Sequence, residues 1–140
     1  MVIKKEFNDL SNKELWEIAM LRTNVFLIEQ EIKENELEIE DYQAIHYFIK
    51  HNDVIVSYAR VVFLNNFPKL HRVCTDINYR KQGLQAKIIN KIILDHKEIE
   101  LSAQVQTINF YKKLGFRPIG EVYLEANIKH QKMIYNKENN

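Results

Sequence analysis

A basic turn with one glycine, Tyr79-Arg80-Lys81-Gln82-Gly83-Leu84-Gln85, joins a short β-rich run to a long amphipathic segment of helical spacing. A helix that begins there leaves its first N–H groups without intrahelical partners and carries partial positive charge, which suits a phosphate or diphosphate. Arg80 and Lys81 add full charges, and Gly83, lacking a Cβ, lets a ligand come close to the backbone. An ordinary strand-to-helix turn with exposed basic residues would read the same way, so the choice rests on the remaining residues.

Other chemically capable residues point less clearly to a site. His71 and Cys74 have a spacing that invites a metal, but residues three apart on one strand face opposite sides and no second pair is nearby, so no metal is expected. Cys74 has no adjacent His or Asp to activate it and reads as a small buried hydrophobe. The acidic run Glu31, Glu34, Glu36, Glu38, Glu40 and Asp41 reads as a solvated charged face, with attraction of a cationic amine as its alternative use. Glu29 is spaced from Val25 and Phe26 as another core residue would be, and Arg22 lies on the same face two turns away. Each is expected to pair with Arg60, Arg72 or a sheet carboxylate in an ion-pair network.

The elements that position these residues follow from size and periodicity. At 140 residues, 46% hydrophobic and 28% charged, the chain is expected to be a single domain, 1–140, with a polar tail fraying from about 136. A net charge of +1 argues against nucleic acid as a partner. One cysteine excludes an internal disulfide, and Lys4, Lys5 and Glu6 interrupt any N-terminal apolar run. No membrane span or signal peptide is therefore expected, and the cytoplasm is the expected compartment.

Ser11 and Glu14 form a capping-box pattern that predicts a first helix over about Asn12 to Ile28. The acidic stretch predicts a loop with at most a short second helix. His46 to Lys50, Val54 to Leu64 and Leu70 to Ile77 are β-rich runs between turn-like residues, which predicts an antiparallel meander. Ile88, Ile89, Ile92 and Ile93 mark one face of a helix over about Gln82 to Lys97. A strand over about Ile99 to Val105, a short helix over Thr107 to Leu114 and a hairpin around Ala126-Asn127 complete the order. The fold class is mixed α/β, a mostly antiparallel sheet of six or seven strands with helices on both faces. Two strands meeting near the glycine turn are candidates to splay around a ligand.

In this order the chain resembles the GCN5-related N-acetyltransferase (GNAT) superfamily from about Leu10 to Met133. Arg80-Lys81-Gln82-Gly83-Leu84-Gln85 is similar to its acetyl-CoA loop, Arg/Gln-x-x-Gly-x-Gly/Ala, except that Gln85 replaces a small residue. Asn109-Phe110-Tyr111-Lys112-Lys113-Leu114-Gly115-Phe116 is similar to the family's Phe-Tyr-x-x-x-Gly-Phe helix. Leu21-Arg22-Thr23-Asn24-Val25-Phe26-Leu27-Ile28-Glu29-Gln30, with Arg72-Val73, Ser102-Ala103-Gln104 and Glu121-Val122-Tyr123, resembles the ElaA-type branch.

The resemblance implies acetyl transfer from acetyl-CoA to a primary amine by direct attack. It implies cofactor contacts from Arg80 and the amides of Gln82, Gly83, Leu84 and Gln85 at the diphosphate, from Lys81 at the terminal phosphate, backbone contacts from Val73 and Thr75 along the pantetheine arm, and contacts from Gln104, Asn109 and Tyr111. It also implies that the Tyr111 phenol protonates the departing sulfur, a core tyrosine bonded to backbone being the alternative. The base is open among Glu29, whose expected burial would raise its pKa, Glu121, His130 and a relayed water. The acceptor amine is unspecified, small-molecule or peptide, and the protein is expected to be a monomer or homodimer. A non-catalytic acyl-CoA-binding regulatory module is the alternative from another class; a nucleotide-binding regulatory domain is weaker, because no phosphate-loop or dinucleotide fingerprint exists.

Overall fold

The computed structural model describes residues 1–139 and builds one seven-stranded sheet flanked by three helices. Strand β1 (Ile3–Glu6) precedes α1 (Asn12–Arg22), which runs directly into a π-helical segment, Thr23–Glu29. Strands β2 (Ile45–His51), β3 (Val54–Leu64) and β4 (Phe67–Thr75) form the meander. Then follow α2 (Leu84–Asp95), β5 (Glu98–Gln104), α3 (Ile108–Lys113), β6 (Arg117–Glu125) and β7 (Ile128–Asn136). A 3₁₀ turn, Lys137–Asn139, follows β7. The strand order is β1-β2-β3-β4-β5-β7-β6, antiparallel at every junction except β4 to β5.

Alternation along the strands divides the core into two layers. Tyr47, Ala59, Val61 and Leu101 face α2 and α3, where Ile88, Ile89 and Ile92 close over them. Phe48, Tyr58 and Cys74 face the opposite way, against Ile18, Leu21 and Val25 of the first helical stretch. Burying each such aliphatic side chain is worth about 1.5–3 kcal/mol, so each helix is fixed by its apolar face more than by propensity. The capping box forms as predicted: Glu14 N–H donates to Ser11 Oγ at 3.0 Å, and Ser11 N–H donates to Glu14 Oε1 at 2.9 Å.

Three expectations need correction. Strand β1 is absent from the sequence reading because its inward alternation is broken by Lys5, whose ammonium is held by Glu14 at 2.9 Å. The acidic stretch is a loop with one short 3₁₀ turn, Ile39–Tyr42, as expected. The first helix reaches Glu29, but its last seven residues are π-helical, with Gln30 N–H donating to Val25 C=O at 3.0 Å. Each i to i+5 turn inserts a residue, so the apolar register through Ile18, Leu21 and Val25 slips before it reaches Glu29. The first β4 pairing partner is Phe67, three residues before the expected start, because the Asn65-Asn66 turn is a two-residue hairpin with both φ positive (53° and 62°).

Candidate active site

Strands β4 and β5 pair at a single position, Lys69 with Glu100, whose side chains also form an ion pair. Beyond it the strands diverge, and residues 70–75 and 101–104 line a cavity of about 500 Å³. A second cavity of about 290 Å³ adjoins it at the start of α2 and shares Thr75, Arg80, Gln85 and Phe110. The expected splay is therefore present, and it opens directly onto the glycine turn.

Gly83 caps α2 with φ +77°, and a Cβ built there meets nothing within 4 Å. The left-handed backbone explains the glycine. The open space in front of it belongs to the smaller cavity, which Lys81 and Leu84 also line. Lys87 N–H closes the first helical turn onto Gly83 C=O at 3.1 Å, so the amides ahead of it are free of helical bonds.

Arg80 is not free. Its Nη1 and Nη2 donate to the two carboxylate oxygens of Glu29 at 2.6 Å each, and its Nε donates to Thr75 C=O at 3.0 Å. This fork corrects the picture of Glu29 as a buried carboxylate with raised pKa: its side chain is 39% exposed, and the hydrogen bonds from Arg80 hold it below the usual carboxylate range. Such a group is a weak base. Glu121 is exposed and lines neither cavity; Gln82 and Asn109 are likewise exposed and outside both. Val73, Thr75, Arg80, Gln85, Gln104, Tyr111 and His130 do come together around the larger cavity.

Tyr111 is placed by α3, whose short helix is stopped at Gly115 (φ +101°) with Phe116 N–H donating back to Tyr111 C=O at 3.1 Å. The ring packs edge-to-face on Phe110 and Phe116, is 7% exposed and lines the larger cavity. Its hydroxyl has no hydrogen-bond partner among the described residues, unlike a core tyrosine bonded to backbone. Burial pushes its pKa up, so the phenol stays protonated at neutral pH.

The two-residue turn Ala126-Asn127, with φ values of 51° and 61°, carries Glu125 and His130 to the same cavity. His130 Nδ1 lies 2.7 Å from Ile128 C=O and must donate to it, which leaves Nε2 as a lone-pair acceptor in the neutral ring. Glu125 stands 3.5 Å from that Nε2. His71 also lines the cavity, but burial, aided by Arg60 and Arg72, lowers its pKa to about 4, and its Nδ1 faces Arg60 Nη2 at 3.5 Å. Cys74 is buried and its thiol is pushed up by that burial. Among the described residues no group of three or more His, Cys, Asp or Glu is placed to hold a metal ion, and no helix is long and apolar enough to cross a membrane.

The acidic loop is not a solvated charge run. Arg22, 1% exposed, is held by Glu36 at 2.8 Å and Asp41 at 2.7 Å; Arg60, fully buried, by Asp41 at 2.5 Å and Glu38 at 2.9 Å. Arg72 meets Glu38 at 2.5 Å and Glu36 at 2.9 Å, the latter poorly aligned, since Nε makes no hydrogen bond. Three arginines from α1, β3 and β4 thus close on three carboxylates of one loop: Arg22 joins an ion-pair network through loop carboxylates in place of the expected sheet ones, and Glu29, expected in the same kind of network, pairs with Arg80 instead. Arg72 has φ +57°, a left-handed backbone that costs an ordinary residue about 1–2 kcal/mol.

Comparison with known proteins fits this geometry. The Acetyltransferase (GNAT) domain family matches residues 8–137. The chain belongs to that family. A UPF0039 protein of Schizosaccharomyces pombe is 31% identical, over 94% of this chain and 93% of the relative. The crystal structure of Escherichia coli ElaA is 25% identical, covers 97% of this chain and 99% of its own, and superposes with a TM-score of 0.89. An acyl-CoA N-acyltransferase from Pseudomonas aeruginosa is 26% identical over 96% of this chain and 99% of its own, with a TM-score of 0.88. This GNAT domain is of the ElaA type and is an acyltransferase.

Sequence reasoning missed Phe110, which lines both cavities, and Phe26, which lines the larger. Phe110 was within reach as the neighbour of Tyr111. Phe26 was not, because the π turn that aims it carries no composition signal.

Proposed function

We propose that this protein transfers an acetyl group from acetyl-CoA to a primary amine, of a small molecule or a peptide, by direct attack and without an acyl-enzyme. One observation carries the reading: a buried, protonated, unpartnered phenol on the wall of a strand splay that opens onto a glycine-capped helix start. The diphosphate lies against the amides of 83–85, and the pantetheine arm runs along the backbone of Val73 and Thr75 on the side that β5 does not pair. The space before Gly83 and the missing β4–β5 pairs fit such a ligand.

His130 is the base in this reading. Its Nε2 takes a proton from the ammonium, the nitrogen lone pair attacks the thioester carbon, and the C–N bond forms as the carbonyl electrons move onto oxygen. A backbone N–H of β4 receives that oxyanion. The intermediate gives its second nitrogen-bound proton to solvent, the C–S bond breaks, and sulfur leaves with the Tyr111 proton. Solvent then reprotonates Tyr111 and takes the proton held on His130 Nε2, so both groups are restored and one proton is released per acetyl transferred. Acyl-CoA supply and a free cysteine agree with the cytoplasm.

Thiol release from acetyl-CoA across a panel of alkyl, aryl and peptide amines, with acetyl-CoA binding measured by calorimetry, tests the reading. Turnover of at least one amine is expected. Binding without turnover on every amine would favour the regulatory acyl-CoA module.

A further inference from the structure

Arg72 is the one non-glycine residue among those described that has a positive φ inside a strand; the other non-glycine cases stand in turns and loops. It sits where β4 departs from its register with β3. His71 pairs with Arg60 and Cys74 with Tyr58, so Arg72 and Val73 together oppose Ala59 alone. That is a β-bulge, and its bulged residue bears a Cβ in a conformation that favours glycine. Such a residue persists only where its surroundings hold it.

The holding groups come from outside the strand. Glu38 and Glu36 grip the guanidinium, and the Phe26 ring lies 5.9 Å from it. Glu38 also lines the larger cavity, on the loop that brings Ile32 and Glu34 to the same wall. Past the bulge, the backbone of Val73 to Thr75 is the stretch left unpaired by β5.

We propose that Glu36 and Glu38 are positioning residues that act through Arg72: their clamp holds the left-handed bulge, and so ties the acceptor-side wall of the cavity to the strand whose backbone faces the thioester. The inference rests on the acyl-transfer reading for its effect on rate, and on the backbone geometry alone for its effect on the bulge. Glycine tolerates the left-handed backbone without any clamp, whereas alanine does not.

The test compares Arg72→Ala, Arg72→Gly and Glu38→Gln, using the panel amine that turns over best. Misplacing backbone donors by about 1 Å costs on the order of 100-fold in rate, so Arg72→Ala is expected to lower kcat by that order. Arg72→Gly should keep kcat within about threefold of wild type, and Glu38→Gln should cost less when added to Arg72→Gly than alone. Acetyl-CoA affinity should fall in Arg72→Ala, because the pantetheine arm runs along the same backbone, and hold in Arg72→Gly, and a cooperative melt should show each variant folded. Equal kcat losses in Arg72→Ala and Arg72→Gly would overturn the proposal, because the charge and not the backbone would then matter. If Arg72→Ala does not fold, Glu38→Gln with and without Arg72→Gly decides the same question. If the wild type binds acetyl-CoA but acetylates no amine, the acyl-transfer reading fails separately. The HN–Hα coupling at residue 72 then reads the clamp: left-handed geometry kept in Arg72→Gly and lost in Arg72→Ala supports it, and geometry kept in both overturns it.

Discussion

Tyr111→Phe deletes one oxygen from a side chain that is 7% exposed and whose hydroxyl has no partner among the described residues. That hydroxyl opens onto the cavity and is not among the buried unpartnered polar atoms, so water can satisfy it and its removal relieves no desolvation penalty. The ring contacts with Phe110 and Phe116, at 5.1 and 5.7 Å, survive the change. The variant should therefore keep the stability of the wild type to within about 0.5 kcal/mol, with Tm unchanged to within roughly 2–3 °C for a domain of this size. Loss of a general acid costs about 10²- to 10⁴-fold in kcat, equivalent to roughly 3–5 kcal/mol of barrier. Acetyl-CoA affinity should hardly change, because the phenol acts as sulfur departs. Thermal melts of the free protein, calorimetry with acetyl-CoA and thiol release measure the three quantities separately. A lower Tm would mean that the hydroxyl has a partner in the folded protein, and a kcat within a few-fold of wild type would remove Tyr111 from the chemistry. Either result refutes the reasoning.

Gly83→Val places a β-branched residue at φ +77° and its side chain in the space before α2, so acetyl-CoA affinity should fall at least tenfold, with about 1–2 kcal/mol lost in stability; unchanged calorimetric affinity would discredit the loop. Glu29→Gln removes the anion that occupies the Arg80 fork, and because exposed pairs are worth at most about 1 kcal/mol, affinity for acetyl-CoA should tighten by up to about fivefold; weaker binding would show that Glu29 orients Arg80 for the phosphate. Glu14 bears on stability against pH. Burial alone would raise its pKa, but the Ser11 N–H, Lys5 and Lys50 outweigh that and hold it at about 2, against 4.5 for a free side chain. A depressed folded pKa contributes stability above the unfolded value that is lost as pH falls from 4.5 towards 2, on the order of 3 kcal/mol in full. Urea unfolding should show wild type losing its advantage over Glu14→Gln as pH drops through that window; a constant difference would contradict the assignment.

Periodicity and capping determined most of the architecture before any coordinates. Ser11 and Glu14 announced α1, the isoleucines of α2 declared a buried face, and the meander showed in β-rich runs between Asn-bearing turns, because these signals are local and a residue carries them whatever it packs against. The loop at Arg80 to Gln85 and the helix of Tyr111 were readable for the same reason, as fixed residue types at fixed spacing. What surrounds them was decided in three dimensions. Glu29 looked buried by helical spacing, yet the π segment moved it to Arg80. The acidic loop looked solvated, yet Arg22, Arg60 and Arg72, from three separate elements, converge on it. His130 became the favoured base only once the Ile128 carbonyl fixed its tautomer. Spacing along a chain reports which faces a side chain can share; which charge stands opposite it, and at what distance, depends on how separate elements close together, and a single sequence does not record that closure.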